Sequence, residues 1–232
     1  MPFFSRRIPY DRKILLRDAE LAVENRRWRR AVRSYGLILA AEPNNAEMHF
    51  RIASALARIG HHFEAWESFQ IAAQSPEIAG SSAQSIALYK TATELMPRCA
   101  EAWRELSRAL LRHQEPDAAL RALHQGRRHF KSRRRRAEAI AILRDAQELD
   151  PWRSDVVLDL CRLLGRRKRS AEALFLLNEL ERRVEGHERS RALALAWRID
   201  PTITQAWKWM MSAKKARRAE SKGRGYGVRR RA

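Results

Sequence analysis

Residues 85–126 decide the fold, and they read SIALYKTATELMPRCAEAWRELSRALLRHQEPDAALRALHQG. Apolar and small residues recur in this stretch at intervals of three and four, a spacing that places them on one face of a helix. The pattern predicts a helix that ends before Pro97, a second helix from about Ala100 and a third from about Asp117. Because the same arrangement can be laid over the chain on either side, we interpret the stretch as one unit of a repeat.

The proline before the second helix sets the register of this repeat. Pro43, Pro97 and Pro151 are 54 residues apart, and Pro201 follows after a further 50. Residues at fixed offsets from each proline are similar in kind, and six positions after it come His49, Trp103, Val157 and Trp207. Nine positions after it come Ile52, Leu106, Leu160 and Met210. Such recurrence indicates stacked supersecondary units, each of which buries its apolar face on its neighbours.

The residues of these units resemble the tetratricopeptide repeat, a helix–turn–helix unit. The first unit follows the family pattern at Ile52, Ala53, Leu56, Gly60, Ala65, Phe69, Ala72 and Pro76. The second and third units follow it too, but Gln114 and Lys168 stand where the family has glycine. A family unit is about 34 residues long. We therefore expect one additional helix per repeat, near residues 82–96, 133–149 and 188–199.

The resemblance implies an all-α fold, a right-handed helical-repeat solenoid of about 11–12 helices. We expect the repeats to span residues 10–215, between a lead-in at residues 1–9 and a short basic, disordered C-terminal tail at residues 216–232. A first helix pair is predicted at about 11–25 and 28–41, and an asparagine before residue 46 can cap the next helix. Gly60, His61 and His62 should form an exposed turn, and residues 77–84 a loop.

Three local expectations accompany this fold. Ser170 is placed to cap the helix that follows it, since serine is a favoured N-cap residue. Cys161 occupies a small-residue position at a helix–helix contact, which favours a buried thiol, and its spacing from Cys99 fits no metal site. We expect Trp207, Met210 and Met211 to pack on the last repeat and cap it.

Composition and charge limit the class of protein and the kind of partner. The hydrophobic fraction of 45% is that of a globular chain. No apolar run approaches the length of a membrane span and the start is not a secretory signal, so we expect a cytoplasmic protein. Lys and Arg number 47 against 27 Asp and Glu, a net charge of +20. Such an excess favours an acidic partner or surface, with colloidal solubility as the alternative.

In the resembled family, the first helix of each unit lines the concave surface along which peptides lie. Arginines recur on these helices about one helical turn apart, and arginine binds carboxylates and phosphates bidentately. The carboxylates of Glu101, Glu105, Asp155 and Asp159 lie on the same helices, so surface ion pairs are the competing interpretation. The candidate partner-binding residues are Arg58, Arg104, Arg108, Arg112, Arg162 and Arg166.

Two basic clusters are candidates for polyanion binding. One is the run Arg133, Arg134, Arg135 and Arg136, for which a solvated helix end is the alternative. The other is the Gly- and Arg-rich C-terminus, whose composition also fits a solubilising tail. Its candidate residues are Lys214, Lys215, Arg217, Arg218, Arg229, Arg230 and Arg231.

We find no catalytic, metal-ligand or phosphate-loop motif, and we expect no enzymatic activity and no cofactor. The sequence therefore predicts a protein-interaction scaffold or adaptor that binds a partner, expected to be acidic, on its concave face. Two alternatives stay open. One is a nucleic-acid-binding protein that uses the basic clusters, and the other is a peripheral membrane adaptor held by its C-terminal helix.

Overall fold

The computed structural model describes residues 11–204 and 206–211, and its regular elements are helices. In chain order they are α1 (Arg12–Glu24), α2 (Trp28–Ala41), α3 (Ala46–Ile59), α4 (His62–Gln74), α5 (Pro76–Ala79), α6 (Ser82–Leu95), α7 (Ala100–Arg112), α8 (Pro116–Arg127), α9 (Arg136–Leu149), α10 (Ser154–Arg166), α11 (Ser170–Arg183) and α12 (Gly186–Ile199). A 3-10 turn (Arg133–Arg135) precedes α9. The predicted all-α repeat fold is confirmed. The three additional helices are α6, α9 and α12.

The chain divides into two compact units, and the division falls within α8, between Ala122 and Leu123. In the first unit, α1 packs on α2, α2 on α3, and α3 on α4, while α6 packs on α3, α4 and α7. Small residues such as Ala31 and Ala65 are fully buried, which lets the helices approach closely. Phe69 is fully buried and meets the ring of Phe50 edge-on, with 5.9 Å between ring centroids.

In the second unit, α10 packs on α9, α11 and α12. The face of α10 that packs on these helices carries buried apolar residues, among them Val157, Leu160 and Leu164. A Cβ added at Gly165 would lie 3.0 Å from Cγ1 of Ile199, so the absence of a side chain there lets α12 approach α10 closely. Cys161 is fully buried, as predicted, and its Sγ donates to the carbonyl oxygen of Ala173. Burial raises the pKa of this thiol to about 12.

Helix ends follow the sequence in most places. Asn45 caps α3 by accepting the N–H of Met48, and Gly60 ends α3 in the left-handed conformation with a φ of 88°. The equivalent residues of the second and third repeats are not glycine but are also left-handed, with a φ of 60° at Gln114 and 61° at Lys168. Arg26, 34 residues before Gly60, is also left-handed with a φ of 55°. The repeat register therefore fixes the backbone of these turns whatever the residue type.

Three expectations were wrong in detail. Within the loop expected at residues 77–84, residues 77–79 belong to the short helix α5, because Ser75 caps this helix and Pro76 suits its first position. The residue Ser170 does not cap α11, since it is the first helical residue and Arg169 precedes the helix without a side-chain cap. Lastly, Trp207 is 60% exposed, and Trp209 instead stacks on Trp197 at 5.7 Å between ring centroids.

Candidate partner-binding surfaces

The exposed faces of α3, α7 and α10 share one charge pattern. Each helix has a carboxylate in its first turn and an arginine in its last turn. The last-turn arginines, Arg58, Arg112 and Arg166, are all exposed. A cation in the last turn of a helix is favoured by the helix dipole, so the same residue type suits this place in every repeat.

The carboxylates on these helices differ in what they bind. Glu105 pairs with Arg108 one turn away, so the competing interpretation as a surface ion pair is confirmed for Arg108. The carboxylate of Asp159 lies on the same helix as Arg162, but it is bound by Arg127 of α8, with 2.9 Å between Nε and Oδ2. Asp155 contacts Arg153 over 3.2 Å. The expected neutralisation of the α10 arginines by their own helix was therefore wrong.

Three of the six candidate arginines form no ion pair, side-chain hydrogen bond or ring contact in the part of the chain that the structure describes. Arg112 on α7 and both Arg162 and Arg166 on α10 are exposed, and none of them forms an ion pair with residues 11–204. Arg104 differs because it is half-buried and already has a contact within the protein. The exposed cationic surface thus consists of fewer residues than the sequence pattern suggested.

Arg58 has a partner of another kind. Its guanidinium lies over the indole of Trp28, 4.7 Å from the ring centroid, which is a cation–π contact. The contact joins the end of α3 to the start of α2. A corresponding contact occurs in the second unit, where the guanidinium of Arg183 lies 3.8 Å from the ring centroid of Trp152.

Trp28 also borders a basic cleft that the sequence analysis did not single out. The cleft has a volume of about 490 Å³ and lies at the turn between α1 and α2, beside Ile59 at the end of α3. We call it the Trp28 cleft, and its charged lining consists of Arg26, Arg27, Arg29, Arg30 and Arg33. The signal in the sequence is the run NRRWRR at residues 25–30, which by itself indicates only a charged turn.

The arginine run at residues 133–136 forms the 3-10 turn and the first residue of α9. Arg133 and Arg134 are exposed, whereas Arg135 and Arg136 are half-buried, and Arg135 has a contact within the protein. Only part of this cluster is therefore fully open to solvent. The tail candidates, from Lys214 to Arg231, lie outside the described residues.

The described residues also bear on metal binding and on membrane insertion. No group of three or more His, Cys, Asp or Glu side chains there is arranged to hold a metal ion. His61, which precedes α4, and His62, its first residue, are both exposed, as predicted, and His61 Nδ1 lies 3.3 Å from Glu64 Oε1. None of the described helices has the length and apolar composition that a bilayer span needs.

The stacked helix pairs define a helical-repeat protein, and sequence comparison supplies its family. Two tetratricopeptide repeat family models match, one at residues 16–77 and 79–126 and the other at residues 131–196. The chain belongs to the tetratricopeptide repeat family. Repeats of this family bind other proteins, so the chain is a protein–protein interaction scaffold.

Solved structures of similar fold share little sequence with the chain. A tetratricopeptide repeat protein from Bacteroides fragilis is 14% identical, with 88% of this chain and 98% of that one covered and a TM-score of 0.44. The MamA protein is 18% identical over 91% and 94%, with a TM-score of 0.32. PilW, a type IV pilus biogenesis factor, is 19% identical over 91% of both chains, with a TM-score of 0.35. Identities and scores this low say nothing about partners. No curated protein matches the chain.

Proposed function

We propose that the protein is a non-enzymatic scaffold that binds an acidic segment of a partner protein on the exposed faces of the first helices of its repeats. The observation that carries the proposal is the exposure of Arg112, Arg162 and Arg166 without an acidic partner in the described chain. The carboxylates that could have neutralised them pair with Arg108, Arg127 and Arg153 instead.

The chemistry of arginine supports an acidic partner over an apolar one. A guanidinium presents parallel N–H groups to both oxygens of a carboxylate, and such charge-assisted bonds are stronger than neutral ones. The net charge of +20 adds a long-range attraction that speeds encounter with an anionic chain. The buried inner faces of α7 and α10 hold these helices in place, so the arginines are presented from rigid elements.

Fluorescence anisotropy with a labelled hexaglutamate peptide tests the proposal on the full chain. The triple variant Arg112→Gln, Arg162→Gln, Arg166→Gln should bind the peptide at least about tenfold more weakly, since it removes the unpaired candidate arginines of each unit. The matched control removes three other exposed arginines without an acidic partner in the described chain, Arg17→Gln, Arg191→Gln, Arg198→Gln. An equal loss in both variants would mean that net charge alone binds the peptide, and the proposal would fail.

Nucleic-acid binding is the second candidate function, and the exposed cluster near α9 favours it. Arg128, Lys131, Arg133 and Arg134 are exposed and form no ion pair with described residues. A single-stranded RNA of about 20 nucleotides should then bind with an affinity that falls steeply with salt, because phosphate contacts release counterions. Arg133→Gln with Arg134→Gln should lower the salt slope, and a chain ending at residue 213 tests the tail separately. If neither change alters the affinity for RNA, these clusters are not the RNA-binding site.

A further inference from the structure

The Trp28 cleft is a shallow depression, open to solvent, with a strong local excess of positive charge. Five arginines within eight consecutive residues border it, and Arg58 approaches from α3 to stack on Trp28. The left-handed turn at Arg26 leads into α2, so the turn residues Arg26 and Arg27 border the cleft together with the α2 arginines Arg29, Arg30 and Arg33.

One carboxylate already pairs with an arginine of the cleft. Asp18 on α1 accepts from Arg30, with 3.3 Å between Nε and Oδ2, and from Oγ of Ser34 over 2.6 Å. The hydrogen bond from Arg30, followed by that from Ser34, holds the pKa of Asp18 below its usual value. The carboxylate of Asp18 therefore stays with Arg30, and Arg33 feels its charge only at longer range.

The remaining cations have no acidic partner among the described residues. Arg26, Arg27 and Arg29 are exposed and form neither an ion pair nor a side-chain hydrogen bond there. Glu24 is the acidic residue nearest to them in the sequence, and it is exposed and pairs with none of them. Arg27, which precedes α2, also leaves the start of that helix without a side-chain cap, so backbone N–H groups there add to the positive potential.

We infer that the Trp28 cleft binds a phosphorylated side chain of a partner protein. A phosphoryl group carries about −1.5 to −2 charges at pH 7 and three acceptor oxygens, which suits several guanidiniums better than a single carboxylate does. The cations border one cavity rather than a long row, which fits a single phosphoryl group better than the repeating phosphates of a nucleic acid. The inference rests on the proposed function only in that the ligand belongs to a protein.

The test uses the full chain and the peptide acetyl-Gly-phosphoSer-Gly-amide, followed by the indole N–H signals in NMR spectra. Trp28→Phe assigns the Trp28 signal among the seven tryptophans. We expect this signal to shift saturably with the phosphopeptide and not with the same peptide carrying serine. The peptide with glutamate in place of phosphoserine should bind at least about fivefold more weakly, because it offers half the charge.

Two variants with equal loss of charge make the test specific. Arg27→Gln with Arg29→Gln should weaken phosphopeptide binding at least about tenfold, whereas Arg191→Gln with Arg198→Gln on α12 should leave it within about twofold. Equal effects of the two variants, or a shift that never saturates, would overturn the inference. It would also be overturned if inorganic phosphate or a 5′-phosphorylated oligonucleotide bound more tightly than the peptide.

The outcome is separable from that of the proposed function. The hexaglutamate experiment probes α7 and α10, whereas the phosphopeptide experiment follows Trp28. A chain that binds hexaglutamate through Arg112, Arg162 and Arg166 but ignores the phosphopeptide retains its scaffold role without this site. If both arginine triple variants lose the same affinity for hexaglutamate, the proposed function fails. Saturable binding of the phosphopeptide would then support only the Trp28 cleft.

Discussion

The indole of Trp103 donates its N–H to the backbone carbonyl of Pro97, with 3.0 Å between Nε1 and the oxygen. The bond fastens the first turns of α7 to the proline that precedes it. In the preceding repeat, His49 Nε2 lies 2.8 Å from the carbonyl oxygen of Pro43, so this nitrogen carries the proton. Two different ring donors thus make the same contact at positions 54 residues apart. Val157 takes this place in the third repeat, where no donor exists.

Trp103→Phe removes this hydrogen bond and keeps an aromatic ring in the core. We expect the free energy of unfolding to fall by about 1–2 kcal/mol, because the proline carbonyl loses a protein donor and some packing volume is lost. Urea denaturation followed by far-UV circular dichroism measures the change. Trp207→Phe is the control, since Trp207 is largely exposed and should change stability by less than about 0.5 kcal/mol. A similar loss of stability in both variants would mean that replacing any tryptophan has this effect, whether or not it makes the hydrogen bond.

The left-handed turns at Gln114 and Lys168 give a second prediction. A residue with a Cβ is strained at positive φ, and glycine relieves the strain at a smaller entropic cost. Gln114→Gly and Lys168→Gly should each raise the free energy of unfolding by about 0.5–1 kcal/mol. The reverse change, Gly60→Gln, should lower it by about 1 kcal/mol. Thermal and urea unfolding of the single variants measure these shifts.

Gln114→Ala separates the backbone from the side chain in that experiment. Alanine keeps the Cβ and therefore the strain, so its stability should stay near that of the parent protein. Stabilisation by alanine as large as that by glycine would show that removal of the exposed glutamine side chain, rather than relief of φ strain, is responsible.

The repeat fold was predictable because its signals are local and recur. Helix-forming spacing, the asparagine cap and the glycine stop all lie within a few residues of the turn that they shape. The intervals of 54, 54 and 50 residues between prolines, longer than a family unit of about 34, then located α6, α9 and α12. Residues 76–79 were missed because four residues are too few to show a helical period, and the exposure of Trp207 depends on tertiary contacts that its sequence position does not specify.

The binding surfaces were less predictable because they depend on contacts between helices. Asp159 is three residues from Arg162 on the same helix, yet its partner Arg127 is 32 residues away. The Trp28 cleft is likewise formed by a turn together with the end of α3, and the letters of that turn alone indicate only a solvated charge run. Sequence spacing identifies which residues share a helix face, whereas the partner of each charge requires the tertiary structure.

The Asp18 carboxylate gives a prediction about pH. Its pKa is lowered in the folded protein, chiefly by Arg30, so the ionised form stabilises the fold. That stabilisation is complete above the unfolded pKa, near 3.8, and is lost as the pH falls through the lower folded value. Asp18→Asn should be less stable than the parent protein at pH 6, and the difference should shrink as the pH is lowered below about 3. Urea midpoints at both pH values measure it. In the Arg30→Gln background the difference at pH 6 should be smaller, because the chief cause of the lowered Asp18 pKa is removed.

The Arg127–Asp159 pair should couple more strongly than a surface pair. The side chains are 16% and 31% exposed, and Arg127 also donates to the carbonyl oxygen of Phe130 over 3.2 Å. A double-mutant cycle with Arg127→Ala and Asp159→Ala should give a coupling free energy of about 1 kcal/mol or more, because partial burial limits solvent screening. The same cycle on Arg153 and Asp155, whose side chains are 46% and 55% exposed, should give less than about 0.5 kcal/mol. Equal coupling in the two cycles would show that Asp159 is held no more firmly than a surface acid. It could then turn to Arg162, which would weaken the argument for an uncompensated basic face on α10.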